Sequence, residues 1–414
     1  MNLQMRADLD IRLAQVVSED VGMVDRVDEG MASYDHPRLA TFHAQAADTA
    51  IVFGAGHDGR PGGLALDRSS AKLAAVGEAL ERYSACHVPT SRLRAATVRE
   101  LGSCDAVVPS DMTAGTGDTE SWHWVRGMRL KTSQAEARAA WVPAHRVYLS
   151  GIDDRPGLGV STSTGLACHP DPWQALRSGL LEVIERDAVM VSWTTRAAAV
   201  PIDTSLRWTD QHGTTVRFDR APERYRLYLL ESPTRIPVVF AVVSGVGDQP
   251  PRAVGAAARF DLGEACRRAL LEAHQTFSWA RHMVASGTPP PTIDQIRDLE
   301  HHVAYYLDRG RRAAFDFLPD PAIVPSRDVD LDNWRPTHPS ARDEVEAILD
   351  QAGEAGLDCY AVDATAPDVR EAGYWVIRAL IPDLYPLIVG LGHRTGHPRL
   401  AGQAVLNPDP HPFP

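Results

Sequence analysis

The chain carries two copies of a short acidic motif, Glu-x-x-Glu-Arg, each inside an apolar run. The two copies consist of Glu78, Glu81 and Arg82, and of Glu182, Glu185 and Arg186. Residues three apart share one face of a helix, so each copy presents two carboxylates side by side. Four carboxylates that met in a core would repel one another unless a cation lay between them. Because Mg²⁺ takes oxygen ligands and often links protein carboxylates to substrate phosphates, the motifs predict a magnesium site.

A single copy of this motif would more often be a solvated helix face, since Glu78 and Arg82 form an ordinary i,i+4 pair. A weaker third copy, Glu-x-x-Gln, ends at Gln275. Two full copies with matching apolar flanks and this echo place a functional site level with a solvated face. The spacing of the three copies is too wide for a solenoid repeat.

Cap residues predict where the helices that carry the motifs begin. Asp67 or Ser69 can cap the first helix. In the second, Asp171 is suited to the N-cap, Pro172 to the first helical position, and Gln174 closes a capping box. The third begins at Asp261.

Strands are predicted where β-branched and aromatic residues cluster. The candidate strands are 49–53, 140–143, 225–230, 237–243 and 374–380. Segments 245–251, 287–292 and 319–340 are rich in Pro and Gly and are predicted surface loops. We expect one large α+β domain, residues 46–414, after an N-terminal segment, residues 1–45.

Composition limits the classes of function. The 414 residues carry a net charge of −12, which argues against a nucleic-acid partner. The five cysteines are widely spaced, as is typical of reduced thiols. The N-terminus is polar, and no apolar run could act as a signal peptide or span a bilayer. We therefore expect a cytoplasmic protein without a membrane partner.

Other motifs are interpreted more modestly. Residues 53–59 match a Gly-x-Gly-x-x-Gly pattern, but Pro61 and further glycines follow where a helix should begin, so a flexible loop is predicted. No Walker motif is present. His393 and His397 are expected in a loop, and His301 and His302 on a polar helix surface. The hydroxyl groups of residues 161–164 are suited to hydrogen bonding a bound anion.

The last residues alternate with proline from Pro408 to Pro414. This pattern predicts a stiff, extended, polyproline-like tail. A frayed terminus and a ligand for a proline-binding module remain alternatives. A stiff tail would hold its final carboxylate at a set distance from the last anchored residue.

Over residues 45–414 the sequence resembles the YcaO superfamily, in particular the azoline-forming cyclodehydratases of thiazole/oxazole-modified peptide biosynthesis. Four signatures carry the resemblance: residues 76–83, residues 163–167 leading into 179–188, residues 268–275, and the Pro-x-Pro-x-Pro ending at 410–414. The ending is typical of azoline formers.

The resemblance implies a YcaO-like α+β fold with mixed sheets and acidic helices surrounding an ATP/Mg²⁺ site. It implies Glu78, Glu81, Glu182 and Glu185 as metal ligands, and Arg186, Arg268 and Gln275 as cofactor-binding residues. We add Ser163 and Gln174 to the cofactor-binding candidates, and Pro410, Pro412 and Pro414 of the tail as catalytic candidates. Proton shuttling is assigned to the Pro414 carboxylate or a residue near it.

The sequence also departs from the family pattern. Ala74 stands where a serine is frequent, Pro170 and Gln174 replace an asparagine and a glutamate, and Ser178 replaces a frequent glutamine. Leu64-Ala65-Leu66 stands near the place of a Gly-Lys-Gly loop. These changes leave open a divergent enzyme, or a site that a partner completes.

The implied function is ATP-dependent cyclodehydration of Cys, or Ser/Thr, in a ribosomal precursor peptide. The implied partners are that peptide, an E1-like or ThiF-like leader-binding protein on another chain, and a flavin dehydrogenase. The leader-binding protein is expected on another chain because residues 1–45 are too short for it. A homo-oligomer is also expected. The alternatives are a YcaO enzyme that forms thioamides or amidines, and a degenerate ATP-binding scaffold. A metal-carboxylate oxidase would need Glu-x-x-His on its helices, and neither motif has it.

Overall fold

The computed structural model describes residues 13–30, 39–54, 61–102, 106–107, 120–131, 137–149, 151–152, 161–210, 213–247, 249–320, 323–332, 337–390, 397–402 and 406–414. Packing divides the chain into two compact units. Unit 1 comprises Met1–Ala32, Leu39–Val183 and Ser340–Asp383, and unit 2 comprises Ser33–Arg38, Ile184–Pro339 and Leu384–Pro414. Both units combine helices with largely antiparallel sheets, so the expected α+β class is confirmed. The domain bounds 1–45 and 46–414 stay a prediction.

The helices are α1 Thr49–Phe53, α2 Arg68–Cys86, α3 Val98–Leu101, α4 Pro172–Thr195, α5 Leu262–Ala285, α6 Leu299–Tyr305, α7 Ala341–Glu354 and α8 Pro367–Glu371. The strands are β1 Val24–Glu29, β2 Ala40–Ala46, β3 Gly62–Ala65, β4 Arg94–Ala96, β5 Trp122–Leu130, β6 Arg138–Pro143, β7 Leu166–His169, β8 Val200–Asp203, β9 Arg207–Thr209, β10 Thr215–Arg217, β11 Arg224–Leu230, β12 Val238–Ser244, β13 Ala253–Ala258, β14 Arg327–Asp328, β15 Cys359–Asp363 and β16 Trp375–Leu380. Short 3₁₀ helices lie at Thr90–Arg92, Ala144–Arg146, Ile293–Gln295, Arg309–Phe315 and Pro398–Leu400.

Unit 1 contains two antiparallel sheets. The smaller has the order β1-β2-β3, and helix α2 packs against it. A Cβ at Gly63 of β3 would lie 1.9 Å from the carbonyl oxygen of Ala71, so only glycine allows α2 to approach this closely. The larger sheet has the order β4-β5-β15-β16-β7, with β6 paired to β5. In it, Arg378 of β16 lies opposite Leu166 of β7.

Unit 2 is built on a five-stranded sheet of order β13-β12-β11-β8-β14, antiparallel except for the β8–β14 pair. Helix α5 packs on β12 and β13. Gly255 of β13 permits this contact, because a Cβ there would lie 2.2 Å from the backbone nitrogen of Ala273. The last turns of α4 also belong to this unit, where Trp193 makes edge contacts with Tyr306 and Phe315.

The predicted helix starts are confirmed. The Asp67 carboxylate accepts the N–H of Ser70, and that of Asp261 accepts the N–H of Glu264. Helix α4 begins at Pro172, after Asp171. The predicted strands at 140–143, 225–230, 237–243 and 374–380 correspond to β6, β11, β12 and β16.

The strand prediction for residues 49–53 is wrong, because this segment is helix α1. The Asp48 side chain accepts the N–H groups of Ala50 and Ile51, and Gly54 ends the helix with a φ of +74°. These caps outweigh the β propensity of the apolar residues between them. The glycine-rich stretch that follows includes 55–60, and those residues and His393 lie outside the described ranges. In the part of the chain that the structure describes, no helix is long and apolar enough to cross a membrane.

Candidate active site

Three helices hold a glutamate in the same way: one side-chain oxygen accepts an N–H from a residue on or just before the preceding strand. The glutamate follows its donor by 16 or 17 residues. The three bonds are Gly62 N–H to Glu78 Oε2 at 3.0 Å, Gly165 N–H to Glu182 Oε2 at 3.1 Å, and Ala256 N–H to Glu272 Oε2 at 2.9 Å. A hydrogen bond to a charged acceptor is strong and directional, so it orients each carboxylate. The three-fold echo in the sequence is therefore a repeated strand–helix unit with its first glutamate anchored to the strand.

In unit 1, Glu81 shares its surroundings with the two anchored glutamates Glu78 and Glu182. Burial raises the pKa of the Glu81 carboxyl well above its usual range, and the charge of Glu182 raises it further, as does that of Glu78. Arg82 and Arg378 act in the opposite direction. The structure thus brings three of the four predicted metal ligands into one electrostatic group, in which like charges oppose ionisation.

Arg378 is the member of this group that sequence analysis missed. Its side chain is 5% exposed, and Nη1 donates to the carbonyl oxygen of Thr162 at 2.9 Å. Burial lowers the pKa of its guanidinium to about 10, while Glu182 and Glu81 oppose that shift. Its Nε is buried without a hydrogen-bond partner among the described residues. The one signal in the sequence is a charged residue in the middle of the apolar strand β16.

These carboxylates suit a hard divalent cation. A cation beside Glu81 would relieve the repulsion that raises the pKa of its carboxyl, and oxygen is the donor that Mg²⁺ prefers. Within the described ranges, no three acidic, histidine or cysteine side chains are grouped so that they could hold a metal ion as a cage. Mg²⁺ sites commonly use one or two carboxylates with water and substrate phosphates, so a complete cage is not required.

In unit 2, Glu185 and Arg186 form a second group with Glu272. Glu185 is 7% exposed, its Oε2 accepts the N–H of Ala258 at 3.2 Å, and its Oε1 contacts Nη1 of Arg186. The other terminal nitrogen of Arg186 lies 4.0 Å from Oε1 of Glu272. Glu272 is absent from the predicted site residues, although it fills the first position of the third motif copy.

The tail is ordered against this second group. Phe413 is fully buried, and its ring centroid lies 4.1 Å from Cζ of Arg186, a cation–π contact. Asn407 fixes the start of the tail, because its N–H donates to the carbonyl oxygen of Thr194 at 2.7 Å. The catalytic role of Pro410, Pro412 and Pro414 stays a prediction.

The remaining candidates lie elsewhere. Arg268 lies on α5, one turn before Glu272, and its side chain is more than half exposed. Its Nε lies 3.9 Å from Oε1 of Glu264. Gln275 is half-buried on the same helix. Gln174 lies in the first turn of α4, about 12 Å along the axis from Glu182. Ser163 accepts the N–H of Leu166 through its carbonyl oxygen. Their roles in binding a cofactor stay predictions.

Residues 62–385 match the family YcaO, described as the YcaO cyclodehydratase, ATP- and Mg²⁺-binding. The match covers most of the chain and includes both acidic motifs and the third copy. The cofactors of this family, ATP and Mg²⁺, are those that the resemblance implied.

Solved structures share the fold at low sequence identity. A heterocyclase in complex with substrate and cofactor has a TM-score of 0.73 and 18% identity, covering 98% of this chain. This chain spans 57% of that heterocyclase, a little over half of its length. YcaO from Methanopyrus kandleri, bound with AMPPCP and Mg²⁺, has a TM-score of 0.64 and 20% sequence identity. The match covers 95% of this chain and 94% of that structure's chain. A chain of the Escherichia coli microcin synthetase McbBCD complex has a TM-score of 0.63 and 15% sequence identity. The match covers 93% of this chain and 96% of that chain. The YcaO-like fold expected from the sequence is confirmed.

Proposed function

The chain belongs to the YcaO family, and we propose that it is an ATP-dependent cyclodehydratase that converts Cys, or Ser/Thr, of a ribosomal precursor peptide into thiazoline or oxazoline. The observation that carries this proposal is the group of Glu81, Glu182 and Arg378 in unit 1, in which Gly165 orients Glu182 and Arg378 is buried. Two half-buried acids beside a buried arginine suit a metal-bound polyphosphate better than they suit a hydrophobic core.

The proposed reaction begins when a cysteine thiol attacks the carbonyl carbon of the preceding residue. As the C–S bond forms, the thiol gives up its proton to a base and the C=O double bond becomes a single bond. The oxygen of this tetrahedral adduct would leave poorly as water. ATP supplies the phosphoryl group that turns this oxygen into a phosphate leaving group. Elimination of phosphate with loss of the nitrogen-bound proton gives the thiazoline, ADP and phosphate.

The residues of the chain contribute charge and position. We assign Mg²⁺ binding to the carboxylates of Glu78, Glu81, Glu182 and Glu185. Bound there, the metal would offset negative charge on the phosphates. Arg186 and Arg268 are assigned to phosphate contacts.

The Pro414 carboxylate, or a residue near it, is assigned to the proton transfer that accompanies ring closure. The burial of Phe413 against Arg186 supports this assignment, because it holds the neighbouring tail residues in one place.

A partner protein that recognises the leader of the precursor is part of the proposal. The similarity to a chain of the McbBCD complex supports it, because that chain works in an assembly with other proteins. A leader that adds as a β-strand to such a partner would deliver the core peptide to this chain. A flavin dehydrogenase could then oxidise the azoline to the azole.

The test is incubation of the full chain, the partner and a Cys-containing precursor with Mg²⁺ and ATP, followed by mass spectrometry and a phosphate assay. We expect a loss of about 18 Da per ring, the mass of one water molecule, with release of phosphate. A mass change that indicates sulfur for oxygen would favour a thioamide-forming enzyme instead. ATP binding without turnover on any cysteine peptide would favour a degenerate scaffold.

A further inference from the structure

Two buried histidines of unit 2 stack on each other where the tail contacts helix α6. The ring centroids of His302 on α6 and His411 in the tail lie 3.8 Å apart with an interplanar angle of 11°. His302 is 0% and His411 2% exposed. The prediction that His302 lies on a polar helix surface is wrong, because the tail covers this side of the short helix.

The hydrogen bonds around each ring determine its tautomer. Gly390 donates its N–H to Nε2 of His302 at 2.9 Å, so Nε2 carries no proton and Nδ1–H donates to the carbonyl oxygen of His411 at 2.7 Å. In His411 the roles are exchanged. Phe413 donates its N–H to Nδ1 at 3.2 Å, and Nε2–H donates to the carbonyl oxygen of Ile388 at 2.5 Å. Both neutral rings therefore use one donor and one acceptor each.

These bonds form a continuous connection from helix α6 to Arg186. His302 holds the backbone and the ring of His411, and the ring of His411 holds the N–H of Phe413. The ring of Phe413 in turn lies against the guanidinium of Arg186. Asp409 and Pro410 are held separately, by the indole N–H of Trp193 and the hydroxyl of Tyr306.

We propose that His302 and His411 are positioning residues, and that their stacked pair sets the place of Phe413 against Arg186 for the cyclodehydration step. The proposal rests on the proposed function in one respect, the participation of the tail and Arg186 in that step. Apolar aromatic rings would fill this space without four polar contacts to satisfy, so the histidines add hydrogen bonds that packing alone does not need. Phenylalanine in place of His302 separates these roles, because it keeps an aromatic ring and loses both nitrogen contacts.

The experiment compares His302→Phe with wild type in the full chain with its partner. We expect the amide of Phe413 to exchange with deuterium about tenfold faster, as follows when a buried contact is lost. Ring formation on a cysteine peptide at saturating ATP should fall roughly tenfold to a hundredfold, while the affinity for AMPPCP in Mg²⁺ stays within about twofold. His302→Asn returns an N–H near the position of Nδ1 and should restore part of the ring formation. The control is His301→Phe, since His301 is a neighbour on the same helix with a side chain 40% exposed.

A second measurement does not depend on any variant folding. Long-range ¹⁵N–¹H spectra of the wild-type protein should show His302 protonated on Nδ1 and His411 on Nε2. Two results would overturn the inference that the histidine pair holds Phe413 in place. One is the opposite tautomer at either ring, and the other is deuterium exchange of the Phe413 amide in His302→Phe equal to that of wild type. Faster exchange with unaltered ring formation would overturn the positioning role. The wild-type protein could show the expected tautomers and amide exchange but form no heterocycle on the peptide. That result would overturn the proposed function and still support the inference that the histidine pair holds Phe413 in place.

Discussion

Gly165 donates its backbone N–H to Oε2 of Glu182 at 3.1 Å from a conformation that favours glycine, with a φ of +84°. A Cβ at this position would lie 2.2 Å from the carbonyl oxygen of Ala379. Ala379 also donates its N–H to the carbonyl oxygen of Gly165 at 2.7 Å. The residue before strand β7 is thus held by β16 on one side and orients a carboxylate of α4 on the other.

Gly165→Ala should destabilise unit 1 and disturb Glu182. The positive φ alone costs about 1–2 kcal/mol, and the overlap with a backbone atom adds further cost, since backbone cannot move aside cheaply. We expect a total loss of more than about 3 kcal/mol in urea unfolding. Gly373→Ala is the matched control, because its φ is +81° and no atom lies within 4 Å of the added Cβ. Equal losses in the two variants would contradict the role of the close contact.

Arg378→Met should destabilise the protein in a way that Mg²⁺ partly reverses. Removing the cation leaves Glu81 and Glu182 with one countercharge fewer, and the loss of a buried partner of this kind costs up to about 3–5 kcal/mol. Since a bound divalent cation supplies positive charge to the same carboxylates, Mg²⁺ should raise the melting temperature of the variant more than that of wild type.

The control for Arg378→Met is Arg129→Met in the same unit. Arg129 pairs with Asp358, and both side chains are more than a third exposed. Loss of this pair should cost at most about 1 kcal/mol and should not respond to Mg²⁺. An equal response of both variants to the metal would show that Mg²⁺ acts elsewhere.

Glu182→Gln should abolish turnover and leave the fold intact. Glutamine keeps an oxygen that can accept the N–H of Gly165, but it lacks the charge that a metal ligand needs. Peptide-stimulated ATP consumption should fall by a factor on the order of 100 or more. The protein should stay folded, because relief of the repulsion from Glu81 offsets the lost attraction to Arg378. Glu346→Gln, a change on helix α7 of the same unit, should retain activity. Wild-type turnover in Glu182→Gln would refute its role as a metal ligand.

Acid should destabilise unit 2 through His274. Its Nδ1 lies 2.8 Å from the Tyr225 hydroxyl, and burial, helped by the charge of Arg281, lowers its pKa from 6.5 to about 4. Below pH 6.5 the imidazole is protonated in the unfolded chain, whereas in the native protein it stays neutral down to about pH 4. The free energy of unfolding therefore falls as the pH falls from 6.5 to 4. The contribution reaches roughly 3 kcal/mol at the acid end.

The measurement is urea unfolding between pH 7 and pH 4 in wild type and His274→Gln. His302 contributes in the same window, since burial also lowers its pKa to about 4 despite the opposing effects of His411 and Asp298. The slope against pH should therefore decrease in His274→Gln without vanishing. Parallel slopes in the two proteins would contradict the assignment to His274.

Local patterns predicted much of the structure. They failed at 49–53, where adjacent caps outweigh strand propensity, and at His302, where the contact comes from a distant segment. The starts of α2, α4 and α5 follow from cap residues adjacent in sequence. Helix capping also explains why residues 49–53 are not a strand. Asp48 and Gly54 cap this segment as a helix, although the β propensity of its apolar residues favours a strand. His302 resembles a surface residue until the tail, more than a hundred positions later, covers it.

By itself the sequence determined the paired acids, the helices that carry them, the stiff tail and the family, because these depend on spacing and on neighbours along the chain. Only the tertiary structure decided that Arg378 lies with Glu81 and Glu182, that Glu272 joins Arg186, and that Phe413 is buried. Such contacts depend on which distant side chains are desolvated together, and the energy of a charge depends more on that burial than on its place in the sequence.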